Sequence, residues 1–122
     1  MNVELLRKIA AVIQEKPRQF NMDHWHKRGD FVTGDVTSLP KEKVIACGTT
    51  HCIAGWAQVL SPADDPTDWA KDDAQKSLGL TIDQAFRLFY TENWPRGFRT
   101  MRPSAKKAAA RIEHFIETEG RE

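Results

Sequence analysis

Apolar residues recur at three- and four-residue intervals over most of this chain, a spacing that predicts amphipathic helices. The first predicted helix covers residues 3–16. Its apolar stripe consists of Val3, Leu6, Ile9, Ala10 and Ile13. Pro17 is expected to end this helix, because the residue before a proline is pushed out of the helical region. The next large apolar side chains, which we expect to cover the core beside the first helix, are Phe20, Met22 and Trp25.

Two further helices are predicted in the middle of the chain. Thr49 or Thr50 can cap a helix that ends before Ser61-Pro62, and its buried stripe comprises Ile53, Trp56, Ala57 and Leu60. Asp65-Pro66, a cap followed by a proline, is a typical start signal for the next helix. The inner face predicted for that helix is Trp69, Ala70, Ala74 and Leu78, with Gly79 just past its end.

The last two helices have clear start signals. Thr81 and Gln84 have the spacing of a capping box, and the residues predicted to face inward behind it are Ala85, Leu88 and Phe89. Ser104 is expected to open the final helix. Its stripe contains Ala105, Ala108, Ala109, Ile112, Phe115 and Ile116.

Residues 27–46 do not follow a helical period. Gly29, Gly34 and Pro40 interrupt the segment, and its apolar residues are strand-like. Two short β-segments, around 30–36 and 43–46, or an ordered loop would fit this pattern. The sequence therefore predicts a mainly α protein: a single domain over 1–122, built as a compact bundle of about five helices with a short β-hairpin or irregular insert near 30–46.

Composition narrows the function classes. With 122 residues, 40% hydrophobic and 29% charged, the chain has the size and balance of one globular domain, not of a disordered, collagen-like or disulfide-rich protein. The net charge of +1 is much lower than the strongly positive charge typical of proteins that bind duplex DNA. No segment approaches the roughly 20 apolar residues of a membrane span, and the N-terminus lacks the features of a secretory signal. We expect a cytoplasmic protein with no membrane partner.

Three blocks of the sequence resemble a known group. Residues 47–57, CGTTHCIAGWA, resemble the C-G-T-x-x-C-x-A-G-W-A signature of a group of small bacterial and phage hypothetical proteins. Residues 85–90 with Trp94-Pro95, and residues 111–116, are similar to that group's later motifs. The resemblance covers roughly the last two-thirds of the chain. It implies a microbial or viral origin and supports the helical fold, but it brings no established activity.

Cysteine and histidine side chains form one candidate site. The residues of the right chemical type for tetrahedral zinc are Cys47, Cys52, His24 and His26. The four-residue gap between the cysteines is wider than in a usual zinc knuckle, so we expect both to be small apolar packing groups and no metal to be bound. A second alternative places Cys52 in the first turn of a helix, where the helix dipole lowers a thiol pKa, with His24, His26 or His51 as its base.

Charge is segregated along the second half of the chain. A basic segment without acids contains Arg96, Arg99, Arg102, Lys106, Lys107 and Arg111, and an acidic segment contains Asp64, Asp65, Asp68, Asp72 and Asp73. Aromatic residues beside arginines are typical of sites for phosphate-bearing ligands. The candidate binding residues are therefore Trp94, Arg96, Phe98, Arg99, Arg102, Lys106 and Lys107. The alternative is that both segments are solvated faces, with Trp94 and Phe98 in the core.

These features favour a non-enzymatic binding protein, a microbial or phage accessory factor that engages a protein or a phosphate-bearing ligand at the basic segment. Four tryptophans in so short a chain, Trp25, Trp56, Trp69 and Trp94, favour a sizeable partner contact. One alternative is a zinc- or thiol-dependent enzyme centred on Cys47 and Cys52. Another is a structural homo-oligomer, such as a homodimer in which acidic and basic faces meet.

Overall fold

The computed structural model describes residues 1–39, 44, 48–67 and 69–122. It is mainly α, with a small antiparallel sheet. The helices are α1 (Val3–Glu15), α2 (Ile53–Leu60), α3 (Ala70–Leu78), α4 (Ile82–Phe89) and α5 (Ala105–Glu117). The strands are β1 (His26–Arg28), β2 (Phe31–Thr33) and β3 (Thr49–His51). The predicted five helices with a β-containing insert are thus confirmed at this level.

Three of the helices begin at residues that cap them or follow the predicted caps, and Gly79 ends another. Asn2 accepts a hydrogen bond from the backbone N–H of Leu5 and so caps α1. Thr81 and Gln84 form the predicted capping box at α4, and Ser104 caps α5. Gly79 follows α3 with φ of +64°, a left-handed conformation that glycine adopts without strain. Helix α1 packs against α5 and α2, and the buried apolar side chains of all five helices form one cluster.

Two predicted helix starts are wrong. Helix α2 begins at Ile53 with Cys52 as its N-cap, because Thr49 and Thr50 pair with β1 as part of β3. Helix α3 begins at Ala70 and not at Pro66. Its starting turn is shaped by the Thr67 hydroxyl, which accepts a hydrogen bond from the N–H of Trp69. As a result Trp69 stands outside the helix and 62% of its surface is exposed, so its predicted place on the inner face is also wrong.

The sheet has the order β2-β1-β3 with both pairings antiparallel. The predicted β-segment around 30–36 is confirmed by β2, but its partner β1 lies just upstream of the segment that looked strand-like. Of the predicted segment at 43–46, only Val44 is among the described residues, and it lies in a turn. Strand β3 was not predicted, since its threonines serve equally well as helix caps and as strand residues.

The signature-like segment joins the sheet to the helices. Cys52 donates its backbone N–H to the carbonyl of Trp25 at 3.3 Å, and Gly55, one turn into α2, lies against that same carbonyl. A Cβ atom at Gly55 would overlap the Trp25 carbonyl oxygen. A glycine therefore permits α2 to approach the chain just before β1. Trp56 then fills the core and donates its indole N–H to the carbonyl of Gln19.

Within the described residues, none of the helices combines the length and the apolar character that crossing a bilayer requires.

Candidate ligand-binding cleft

The basic segment lacks the aromatic platform that the sequence predicts beside it. Trp94 is fully buried and donates its indole N–H to the carbonyl of Leu88 at 2.8 Å. Phe98 packs on the core, with its ring centroid 5.1 Å from that of His114. Trp94 therefore offers no free face to a base, and Phe98 is partly buried against the core.

The cations of the basic segment divide into two groups. Arg111 is fully buried, donates to the carbonyl of Arg87 and lies over the rings of Trp94 and Phe115. Burial lowers its pKa to about 10. The cations that are exposed to solvent are Arg96, Arg99, Arg102, Lys106 and Lys107. Among these exposed cations, Arg99 donates to the Trp94 carbonyl and Arg102 lies 3.3 Å from Asp23. The side chains of Arg96, Lys106 and Lys107 are exposed to solvent.

Cys52 occupies a structural position. Its sulfur accepts a hydrogen bond from the N–H of Gly55 at 3.4 Å, and the residue is 2% exposed. Burial raises the pKa of the thiol to about 12, and the hydrogen bonds from backbone N–H groups only partly oppose this. The sequence predicted a lowered thiol pKa from the helix dipole, but desolvation has the larger effect and raises the pKa of Cys52. Cys47 lies outside the described residues, and among the described residues no three potential ligands converge on one point.

We expect Cys52 to resist alkylation in the folded protein, because the thiolate is the reactive species and burial disfavours it. In a Cys47→Ala variant, iodoacetamide at pH 8 should label the remaining cysteine only as fast as the chain unfolds. Mass spectrometry of quenched samples, with urea-unfolded protein as the control, measures this rate. Labelling of the folded variant as fast as of the unfolded control would contradict a buried thiol.

Four buried polar side chains connect the sheet to two helices. His26 Nδ1 and His51 Nδ1 lie 2.7 Å apart, and His26 Nε2 lies 2.6 Å from Gln58 Oε1. Gln58 donates its amide to Asp73 at 2.7 Å, and Asp73 also accepts the backbone N–H of Thr67 at 2.8 Å. At the other end His51 Nε2 contacts the carbonyl of Val44 at 2.7 Å. We call His26, His51, Gln58 and Asp73 the buried relay; all are at most 2% exposed.

Hydrogen counting constrains the protonation of the buried relay. A carbonyl only accepts, so His51 carries its hydrogen on Nε2, and its Nδ1 must then accept from His26. A neutral His26 has one ring hydrogen, which it donates to His51, so it has none to donate to the Gln58 oxygen. A protonated His26 would donate to both partners, and the Asp73 carboxylate would balance its charge. Burial opposes this by lowering the pKa of His26, although Gln58 and Asp35 partly offset the shift. Burial and the charge of His26 lower the pKa of His51 to about 4, so the pair carries at most one positive charge near neutral pH.

The buried relay explains why His26 is a structural residue here. Both of its ring nitrogens already have partners, and His24, the other histidine of the predicted zinc set, lines a separate surface pocket. The relay also fixes a neighbouring surface. Trp25 precedes His26 and Asp72 precedes Asp73, so the contacts that hold the relay hold two walls of a cleft.

The four tryptophans fall into two pairs. Trp56 and Trp94 are buried and donate their indole N–H groups to backbone carbonyls. Trp25 and Trp69 are partly or largely exposed, and within the described part of the chain neither indole N–H has a hydrogen-bond partner. A buried indole N–H normally finds an acceptor, whereas an exposed one is available to a ligand. The second pair therefore marks a different kind of site from the first.

Trp25 and Trp69 line an open cleft of about 330 Å³ together with Lys71, Asp72 and Tyr90, which we call the aromatic cleft. The rings of Trp25 and Tyr90 meet edge to face at 89°, with centroids 5.8 Å apart. Phe86, one helical turn before Tyr90, forms the rim, and the Lys71 ammonium lies 5.0 Å from its ring centroid. The volume is in the range of known ligand sites.

Comparison with protein-family models, curated proteins and solved structures gives no match. The geometry of the chain itself must therefore carry the functional argument.

A second depression, the adjoining pocket, shares the Trp25–Tyr90 ring pair with the aromatic cleft. It measures about 200 Å³. Its other lining residues are Met22, Asp23, His24 and Phe89. The two depressions thus adjoin the same pair of perpendicular rings.

The backbone around the aromatic cleft is held by contacts that do not involve its rings. The carbonyl of Gly34, just after β2, accepts the N–H of Ala70 at 2.7 Å. A Cβ at Gly34 would lie 3.2 Å from the Trp69 ring, so the indole rests against this backbone on one side and is open on the other. Sequence reasoning missed this site because its residues come from three distant segments. The only signal was the number of tryptophans.

Proposed function

We propose that this chain is a non-enzymatic interaction protein and that the aromatic cleft is the surface that holds its partner. The observation that carries this proposal is the pairing of Trp25 and Trp69 around an open cleft with both indole N–H groups unpartnered in the described chain. Tryptophan and tyrosine dominate the energetics of protein contacts, because they combine a large apolar face with a polar end.

The aromatic cleft is better suited to partner binding than the basic segment is. Exposed cations alone contribute weak, salt-screened attraction. Trp94 is fully buried, and Phe98 is partly buried against the core. Trp69 has the opposite character, since it is 62% exposed although folding alone would favour covering it. Exposed aromatic groups gathered at a cleft are a mark of binding surfaces.

The alternatives from the sequence gain less support. For the thiol-dependent enzyme centred on Cys47 and Cys52, burial raises the pKa of Cys52 and disfavours its reactive thiolate, while Cys47 lies outside the described residues. Zinc bound by His26 would have to displace its contacts with both His51 and Gln58. A role as a microbial or phage accessory factor rests on the resemblance of the three sequence blocks and is compatible with a binding protein.

Selection from a display library of random peptides tests the proposal. Peptides enriched on the wild-type protein should lose binding by about tenfold or more on a Trp69→Ala variant, the loss expected when a central aromatic contact is removed. Because Trp69 is exposed, this variant should fold normally, which its circular dichroism spectrum and thermal unfolding would verify.

Two matched variants complete the test. Ile82→Ala removes another exposed apolar side chain, 59% accessible at the start of α4, and should leave peptide binding unchanged. A double variant, Arg96→Glu with Lys106→Glu, reverses charge on the basic segment. Peptides that bind Trp69→Ala as well as wild type, but lose binding to the charge-reversed variant, would transfer the site to the basic segment and overturn the proposal.

A further inference from the structure

The aromatic cleft contains hydrogen-bond donors that have no acceptor in the described chain, and these donors indicate the kind of ligand that would bind there. The indole N–H groups of Trp25 and Trp69 are donors without acceptors in the described chain, and the Tyr90 hydroxyl also lacks a partner there. Partial burial raises the pKa of Tyr90, with further contributions from the charges of Cys52, Glu92 and Asp72, so its O–H remains a donor at neutral pH. A ligand that suits these groups must bring apolar surface together with free acceptor oxygens.

Backbone conformation separates the candidate partners. In a helix the carbonyl groups are already bonded within the helix, and in a strand they are bonded by the neighbouring strand. A polyproline II segment has no internal hydrogen bonds, so all of its carbonyls are free. Its proline rings are apolar, and they dock in grooves lined by aromatic side chains.

The surface offers two neighbouring depressions to such a segment. Polyproline II has three residues per turn, so residues three apart lie on the same side, about 9 Å from each other. The aromatic cleft and the adjoining pocket share the Trp25–Tyr90 ring pair in their linings. A proline-rich segment can present apolar residues of one side to both depressions and contact the shared rings.

Acidic side chains at the two depressions can pair with a basic residue beside the prolines. Asp72 lines the cleft with its side chain 50% exposed, and Asp23, which lies 3.3 Å from Arg102, lines the adjoining pocket. Asp72 lies 3.5 Å from Lys71, an exposed pair that contributes little to stability and can be exchanged for a ligand arginine.

We infer that the aromatic cleft and the adjoining pocket bind a proline-rich, polyproline II segment of a protein partner, flanked by arginine or lysine. This inference rests on the proposed function and names its ligand class.

Fluorescence anisotropy tests the inference with defined peptides. The probe is a fluorescein-labelled peptide of about ten prolines with an arginine at each end, a length of roughly three turns. The control peptide keeps the arginines and replaces the prolines by alternating glycine and serine, which gives a flexible chain of the same charge. The proline peptide should bind wild type at least about tenfold more tightly than the control, because its conformation is already ordered.

Variants locate the binding and its charge dependence. Trp69→Ala should weaken binding of the proline peptide about tenfold or more, and Ile82→Ala should not change it. Asp72→Asn should weaken binding about two- to fivefold for the arginine-flanked peptide, since one exposed pair is worth at most about 1 kcal/mol, and should weaken binding of an uncharged proline peptide less.

The possible results distinguish a failure of the polyproline II inference from a failure of the proposed function. Equal binding of the proline and glycine–serine peptides, or equal binding to wild type and Trp69→Ala, would overturn the polyproline II inference. If the display library still yields Trp69-dependent peptides of another composition, the proposed function stands and only the ligand class falls. If no peptide depends on Trp69, both are wrong.

Discussion

Replacing Asp73 by alanine is expected to lower the free energy of unfolding by about 3–5 kcal/mol, because two hydrogen bonds to a carboxylate are lost and a buried amide is left without its acceptor. The carboxylate accepts hydrogen bonds from the buried Gln58 amide and from the partly buried backbone N–H of Thr67. The loss would also reach His26, whose contact with Gln58 depends on the amide orientation that Asp73 fixes. Urea unfolding followed by far-UV circular dichroism measures the change.

The neighbouring residue supplies the control for this prediction. Asp72 is on the same helix with its side chain half exposed, and Asp72→Ala should change the free energy of unfolding by no more than about 0.5 kcal/mol. Asp73→Asn keeps the shape and one acceptor, so it should fall between the two. A loss below about 1 kcal/mol in Asp73→Ala would show that the buried relay does not contribute as its geometry indicates.

Gly55→Ala is expected to destabilise the protein by about 2–3 kcal/mol, although alanine is the better helix former. The added methyl group would meet the carbonyl oxygen of Trp25, a backbone atom that cannot rotate away as a flexible side chain can. Relief requires α2 to move from the chain before β1, which stretches the hydrogen bond from Cys52 to the same carbonyl. Thermal and urea unfolding would record the loss.

Gly97→Ala is the matched substitution, because no atom lies within 4 Å of a Cβ at that position. It should be neutral or stabilising by up to about 1 kcal/mol, since alanine restricts the unfolded chain more than glycine does. Should Gly55→Ala prove as mild as Gly97→Ala, the close approach of α2 to Trp25 would be refuted. A peptide-binding assay on Gly55→Ala would also report whether the displaced backbone alters the aromatic cleft.

The helical part of the fold could be predicted because its signals are local. Proline, glycine and capping residues stand next to the stripes that they delimit, as Thr81 and Gln84 do at α4. The errors arose where a long-range contact decides between two local options. Thr49 and Thr50 suit a helix cap and a strand equally well, and pairing with β1 selects the strand. Asp65-Pro66 suits a helix start, but the contacts of Thr67 with Trp69 and Asp73 delay it to Ala70.

The candidate site was harder to predict for the same reason. The basic segment is contiguous in sequence and was therefore visible, whereas the aromatic cleft combines residues near 25, 70 and 90 that only folding brings together. Composition could count the tryptophans but could not sort Trp56 and Trp94 from Trp25 and Trp69. The sorting depends on whether each indole N–H meets a backbone carbonyl, which is a property of the folded chain.

Trp25 belongs to two systems at once, since its carbonyl secures the start of α2 and its ring forms a wall of the cleft. Well-packed interiors transmit small displacements rather than absorb them. Residues that never meet a partner, such as Gly55 and Cys52, therefore set the angle at which that indole is presented. Substitutions at these interior positions are therefore expected to change the orientation of the Trp25 ring, and under the proposed function they would alter binding from behind the cleft as well as within it.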